Sequence, residues 1–288
     1  MEYKLMALDM DGTLLKSDKS VDPHTLESIR KAQDAGKIIV ICSGRAMAEM
    51  KAYRDAFTDA GIRYYICESG AYLYDALKNQ AVAVHPIAHE CLPLIFSVMD
   101  QEDMMVQMMV HSHSNVTGSQ IENMAHWQME VYIPLYETCT DKWNDVIAYG
   151  RRVYEKNEPI EKINLYHTDP AARNRTRNRI LSGLSDPSLL KLVGAETTSL
   201  EISGSEADKG SGLMEMAEYL GIDRRQVIAV GDADNDLTML ENAGLPVAMG
   251  NANEHVLSYV KENGAVTKDN DHDGCGAAIR QFLLKENI

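Results

Sequence analysis

Positive charge is scarce in this chain of 288 residues: 28 lysines and arginines stand against 43 aspartates and glutamates, a formal net charge of -15. Such a balance repels a polyphosphate backbone and argues against nucleic acid as a partner, while a small anion can still be held where positive charge is placed locally. Cysteine is sparse as well. Cys42, Cys67, Cys91, Cys139 and Cys275 are scattered, with no C-x-x-C pair and no zinc-like spacing, which predicts reduced, mostly structural thiols in a cytoplasmic protein. No apolar run reaches the roughly 18 residues of a membrane span. Glu2 and Lys4 break the amino-terminal stretch before Asp9, so no apolar export segment fits there, and neither export nor a membrane span is expected. A Walker-type G-x-x-x-x-G-K-[ST] loop, a complete G-x-G-x-x-G after a strand, a fixed-period repeat and a low-complexity linker are all missing, which argues against a bound nucleotide cofactor, a solenoid or a long disordered tether.

What the chain does have is core-forming material, 45% hydrophobic and 25% charged residues, in an alternating pattern. YKLMALD, KIIVICSG and IRYYICESGAYLYD read as strands separated by helices over VDPHTLESIRKAQDAG and AMAEMKAYRDAFTDAG, the rhythm of a parallel sheet. Asp22 suits the cap of the first helix, Pro23 its first turn and Gly36 its stop. The last third repeats the rhythm: KGSGLMEMAEYLG helical, RQVIAVGD a strand, DLTMLENAG helical, PVAMG a strand, then two helices. Between them the texture changes, with both tryptophans, Trp127 and Trp143, and methionine clusters such as DMMVQMMV. The expected fold is therefore a doubly wound parallel α/β core, Rossmann-like, made of residues 1–83 and 194–288, interrupted by an α/β domain over residues 84–193.

Three apolar strands lead into reactive groups: LMAL into Asp9, IIVIC into Ser43 and Gly44, and VIAVG into Asp232. Strands of an open parallel sheet share one carboxyl edge, where such folds bind ligands, so these distant residues are expected around one crevice. Asp9, Asp11, Asp232 and Asp236 crowded together are unstable unless a hard cation with oxygen ligands neutralises them, and magnesium is the expected ion. Lys209, opening the KGSGL helix, then offers a positive charge for an anion, and a phosphate fits between metal and lysine. Phosphate monoesters demand up to about 10²¹-fold acceleration, which neutralising the phosphoryl oxygens helps to supply. Two acids at i and i+2 divide the remaining work, Asp9 attacking phosphorus to form an aspartyl-phosphate and Asp11 serving as general acid and then base.

These residues resemble the haloacid dehalogenase superfamily of aspartate-nucleophile phosphatases, and within it the Cof-type hydrolases with a large α/β (type IIB) cap. The family's D-x-D-G-T-L stands here as DMDGTL, its Ser or Thr after a strand as ICSGR, its lysine as ADKGSG and its acidic motif as GDADND, in order along most of the chain. MGNA, from Met249, and KDNDHDG, from Lys268, are similar to its later signatures. The resemblance implies Asp9 as nucleophile, Asp11 as acid/base, and Ser43, Gly44, Lys209 and Asn235 at the phosphate. It implies Asp9, Asp232 and the Asp11 backbone carbonyl on magnesium, with Asp236 a ligand or its support. Two places depart from the family pattern: Ser69 stands where an asparagine is usual, and Asp208 puts an acid before Lys209, where it would tune the lysine or cap its helix.

Plainer readings stand beside these. DMDGTL alone is a turn, Ser43 alone a helix cap, and Lys209 alone a solvated lysine; only the ordered set raises them. GDADND lacks the bidentate glutamate of a calcium loop, since Ala243 stands at position 12. His111 and His113 without a third ligand read as a polar strand, the arginines from Arg173 to Arg179 as a solvated face, and the methionine clusters as core. The expectation is a magnesium-dependent phosphatase, monomer or homodimer, acting on a small phosphorylated metabolite such as a sugar phosphate or pyridoxal phosphate, with cap residues selecting the leaving group. The rivals are a phosphomutase and a sugar-phosphate-binding regulator without turnover.

Overall fold

The computed structural model describes residues 2–194 and 197–286. In chain order its strands are β1 (Leu5–Leu8), β2 (Ile38–Cys42), β3 (Tyr64–Cys67), β4 (Tyr72–Asp75), β5 (Gln80–Val84), β6 (Met104–Val110), β7 (His113–Thr117), β8 (Thr140–Trp143), β9 (Lys162–His167), β10 (Leu190–Val193), β11 (Ser199–Gly204), β12 (Val227–Gly231), β13 (Leu245–Ala248) and β14 (Ala265–Val266). They form two sheets in two compact units.

The first unit, built from the chain up to Gly44, Ala52–Ala83 and the chain from Asp208 on, holds an eight-stranded sheet in the order β14-β13-β12-β1-β2-β3-β4-β5. The pairs from β14 to β3 run parallel and β4 returns antiparallel to β3. Leu8 pairs with Ile41 on one side and Val230 on the other, so the order reverses between β1 and β12 and opens a crevice beyond their carboxyl ends. Burial on both faces explains the unbroken apolar runs LMAL and VIAVG: every residue of β1 and β12 is buried. The first helix runs Pro23–Asp34, with the Asp22 carboxylate accepting from His24 N at 2.8 Å.

IRYYICESGAYLYD is two strands, not one. Glu68, Ser69 and Gly70 take positive φ in succession and turn β3 into an antiparallel β4. Alternation alone cannot reveal that break, because glutamate and serine seldom adopt left-handed conformations.

The second unit takes in Arg45–Lys51 and Val84–Ala207, with the sheet order β10-β11-β9-β6-β7-β8. The second unit keeps the expected start at 84, but it runs on past 193 to Ala207, where β11 pairs antiparallel with β9 and β10, and it also takes in Arg45–Lys51. Met47 N donates to Ser112 Oγ at 2.9 Å, and Gln107 Nε2 donates to the Glu49 carboxylate. Alternate residues of β6 supply two clusters. Met104, Val106, Met108 and Val110 pack with Phe96, Val153 and Ile180 from helices, whereas Met105 packs with Trp127 and Tyr136. The methionine runs are thus core on both faces. His113 is exposed against Asp141, Arg175 and Arg177 are exposed on their helix, and the five cysteines are free thiols.

Candidate active site

Asp9 is the first residue past β1 and is held in line by its N–H, which donates to Val230 O at 3.1 Å. Asp232 is the first residue past β12, so the strand-order reversal alone brings these carboxylates together. Lys209 opens the Lys209–Tyr219 helix, which Asp208 caps by accepting from Ser211 N at 2.8 Å; the unusual acid before the lysine is a helix cap. The Lys209 ammonium, almost fully buried, donates to Asp9 Oδ1 and Asp236 Oδ1, each at 2.6 Å.

Asp236 is fully buried, and its other oxygen, Oδ2, accepts from the N–H groups of Asp232 at 2.9 Å and Ala233 at 3.1 Å. Oδ1 is thus engaged by Lys209 and Oδ2 by the backbone of the GDADND loop. Asn235, next to it, is exposed. Asp11 lies on the exposed side of the turn after β1, with Oδ1 3.0 Å from Lys19 Nζ.

One contact carried no role in the sequence reading. Thr13 Oγ1 donates to Asp232 Oδ1 at 2.7 Å, fixing that carboxylate from the opposite loop. Gly12 has φ +82°, and a Cβ there would lie 2.5 Å from Asp232 Oδ2, so the glycine of DMDGTL is required both by its backbone and by the acid against it. Asn251, from the MGNA stretch, donates to Gly12 O at 2.8 Å. The turn at Glu68–Gly70 braces the next strand end: Ser43 N donates to Ile66 O at 2.8 Å and Ser69 N donates to Ser43 O at 3.0 Å. Ser69, the departure from the family pattern, thus supports Ser43 through its backbone. A Cβ on Gly70 would meet the Asp208 backbone at 2.1 Å, so this turn also sits directly against the cap of the Lys209 helix.

The electrostatics follow from burial. Asp9 is pushed up to about 8 by its removal from water, with Asp236 and Asp232 adding repulsion and Lys209 opposing. Burial likewise lifts Asp232 to about 6, against the Thr13 hydrogen bond. For Lys209 burial works against the charge, but Asp236 and Asp9 outweigh it and hold the lysine protonated. Three carboxylates facing one ammonium leave two negative charges when all are ionised. Carboxylate oxygens of Asp9, Asp232 and Asp236 lie within 4.8 Å of one another, the only group of this kind among the described residues. An all-oxygen donor set with a twofold excess of negative charge fits a hard divalent cation such as magnesium.

A parallel sheet with acids after two adjacent strands at its reversal point, and a buried lysine between the first of them and Asp236, defines an α/β enzyme of the phosphoryl-transfer type. The pattern of haloacid dehalogenase-like hydrolases matches residues 6–279, and the chain belongs to that family, as a Cof-type member with an α/β cap. It is 27% identical over 300 residues to the pyridoxal phosphate phosphatase YbhA of Escherichia coli (strain K12), covering 100% of both chains. To the 5-amino-6-(5-phospho-D-ribitylamino)uracil phosphatase YcsE of Bacillus subtilis (strain 168) it is 26% identical over 285 residues, covering 99% of this chain and 97% of that one. Among solved structures, a haloacid dehalogenase-like hydrolase from Bacteroides thetaiotaomicron superposes with a TM-score of 0.81 at 24% identity, over 97% of this chain and 99% of the other, and shows the same fold. No helix among the described residues is long and apolar enough to cross a membrane.

Proposed function

We propose that this chain is a magnesium-dependent phosphatase that hydrolyses small phosphate monoesters through an aspartyl-phosphate on Asp9. The observation that carries the reading is the buried Lys209 ammonium 2.6 Å from both Asp9 and Asp236, inside an acidic cluster that retains negative charge for a divalent cation. Asp9, Asp232 and the Asp11 backbone carbonyl would hold magnesium, and Asp236, with both oxygens engaged, supports the loop. The metal supplies charge neutralisation for phosphoryl oxygens.

In the first step an Asp9 carboxylate oxygen bonds to phosphorus as the ester P–O bond breaks, and Asp11 gives its proton to the leaving oxygen. Asp11, now a carboxylate, takes a proton from water, whose oxygen bonds to phosphorus and releases Asp9 and inorganic phosphate. Ser43, Gly44, Lys209 and Asn235 bind the phosphoryl oxygens. The phosphatases YbhA and YcsE, named for a cofactor phosphate and a phosphorylated ribitylamine, support a substrate of that kind, a cofactor or sugar phosphate.

The test is phosphate release in magnesium from sugar phosphates, nucleotides and pyridoxal phosphate, comparing the native chain with Asp9→Asn. Release abolished by the substitution and by chelation is the expected result. A well-folded native chain silent across the panel overturns the reading in favour of a mutase or a binding protein.

A further inference from the structure

Lys19 belongs to none of the motifs, yet the loop after Asp11 is built around it. Bridges join Asp11 to Leu15 and Leu15 to Val21, and the turn between them closes through Lys16 N to Ser20 O and Lys19 N to Lys16 O, each at 2.9 Å. Lys19 itself has φ +66°, a left-handed conformation that a lysine rarely adopts. Three contacts keep it there: the Tyr53 hydroxyl donates to Lys19 O at 3.0 Å, and Ser20 N and Oγ both donate to Asp18. The outcome of this construction is the Lys19 ammonium 3.0 Å from Asp11 Oδ1.

As a stabilising ion pair this contact is weak. Both side chains are about half exposed, 58% and 41%, and pairs of that kind contribute little and are screened by salt. A strained and clamped backbone is a costly way to make a weak surface bridge, and such strain concentrates where geometry serves function.

We infer that Lys19 is a positioning residue for Asp11, holding its Oδ1 so that the carboxyl is aimed at the leaving oxygen. The inference rests on the proposed role of Asp11 as general acid. The ammonium can donate to Oδ1 both before Asp11 gives up its proton and after, when it is a carboxylate. It therefore aims the acid and stabilises the charge that transfer leaves on Asp11.

The test compares phenyl phosphate with 4-nitrophenyl phosphate, two esters of similar shape of which only the first has a leaving group that needs the proton. For Lys19→Met we expect kcat with phenyl phosphate to fall roughly tenfold, part of the 10²- to 10⁴-fold that general acids contribute. With 4-nitrophenyl phosphate the fall should stay below about threefold, and KM should change little for either ester. Lys19→Arg, which can donate to the same oxygen, should restore most of the loss. Equal losses on both esters, or none on either, overturn the assignment and leave Lys19 a structural or inert surface residue. A native chain that turns over neither ester in magnesium overturns the phosphatase reading itself, and this inference with it.

Discussion

Asp9→Asn separates the burden of the acidic cluster from its use. The Asp9 carboxyl is raised from 3.8 to about 8, chiefly by burial. Because the native state holds this proton more tightly than the unfolded chain, the corresponding stability is fully present below about pH 3.8 and is lost as pH rises through about 8. A shift of about four units at about 1.4 kcal/mol each sets a ceiling of about 6 kcal/mol on the penalty carried by the metal-free native protein at alkaline pH. Asparagine has nearly the same shape, can still accept from Lys209 through its amide oxygen, and carries no charge. The residual Lys209–Asp236 pair and relaxation reduce the gain, so we expect Asp9→Asn to be more stable than the native chain by about 2–4 kcal/mol at pH 8.5 in chelator. For a unit of this size that corresponds to a rise in melting temperature of roughly 5–10 °C. Saturating magnesium should narrow or reverse the order, since a ligand at 100 times its Kd stabilises by about 2.7 kcal/mol and the native chain keeps the full ligand set. Calorimetry of both proteins with and without magnesium, at pH 8.5 and pH 4, makes the measurement. Asp9→Asn melting at or below the native chain in chelator at pH 8.5 would refute the claim that the cluster is an uncompensated charge awaiting a cation.

Three further outcomes follow from local features. Glu161 is fully buried, accepts from His111 N at 3.0 Å, and is raised by burial from 4.5 to about 7, so the native chain should lose up to about 3 kcal/mol between pH 4.5 and 7. Glu161→Gln should flatten that slope in urea titrations and be the more stable protein above pH 7.5; an unchanged slope assigns the pH dependence elsewhere. Gly12→Ala places a methyl 2.5 Å from Asp232 Oδ2 at φ +82°, and should cost about 1–3 kcal/mol and at least tenfold in kcat, seen in melting and steady-state kinetics. Phe96→Ala empties a site 1% exposed in the core of the second unit and should cost about 3–5 kcal/mol in denaturant unfolding; a loss below 1 kcal/mol would show that this core collapses around the gap.

The strands that end at Asp9 and Asp232 were legible because a strand buried on both faces must be apolar throughout, and because the acids stand where the apolar run stops. The helix at Pro23 was legible from its own cap and first-turn proline. The division at Gly70 was not, since its three left-handed residues include a glutamate and a serine, types that seldom adopt that conformation, and the turn is held by distant partners, Ser43 at Ser69 and the Asp208 backbone at Gly70. Nor was the reach of the second unit. β11 follows β10 by a short connection and is recruited by pairing with β9, about forty residues upstream, a choice that no local propensity expresses. The supporting contacts of Thr13 on Asp232 and Lys19 on Asp11 were equally hidden, because a threonine in a loop and an exposed lysine are unremarkable until their partners are known.

By itself the sequence determined where the acids, the lysine and the apolar runs stand, in what order, and on strands of which kind, since apolar runs, caps and acid spacing are local properties of the chain. Only the tertiary structure decided that Lys209 lies between Asp9 and Asp236, that Asp236 spends both oxygens on its neighbours, and that Lys19 reaches Asp11. The first depends on the packed sheet, which brings Lys209 within a few ångströms of Asp9, two hundred positions away; the other two depend on the folded shapes of the loops that follow β12 and β1, which no local propensity expresses.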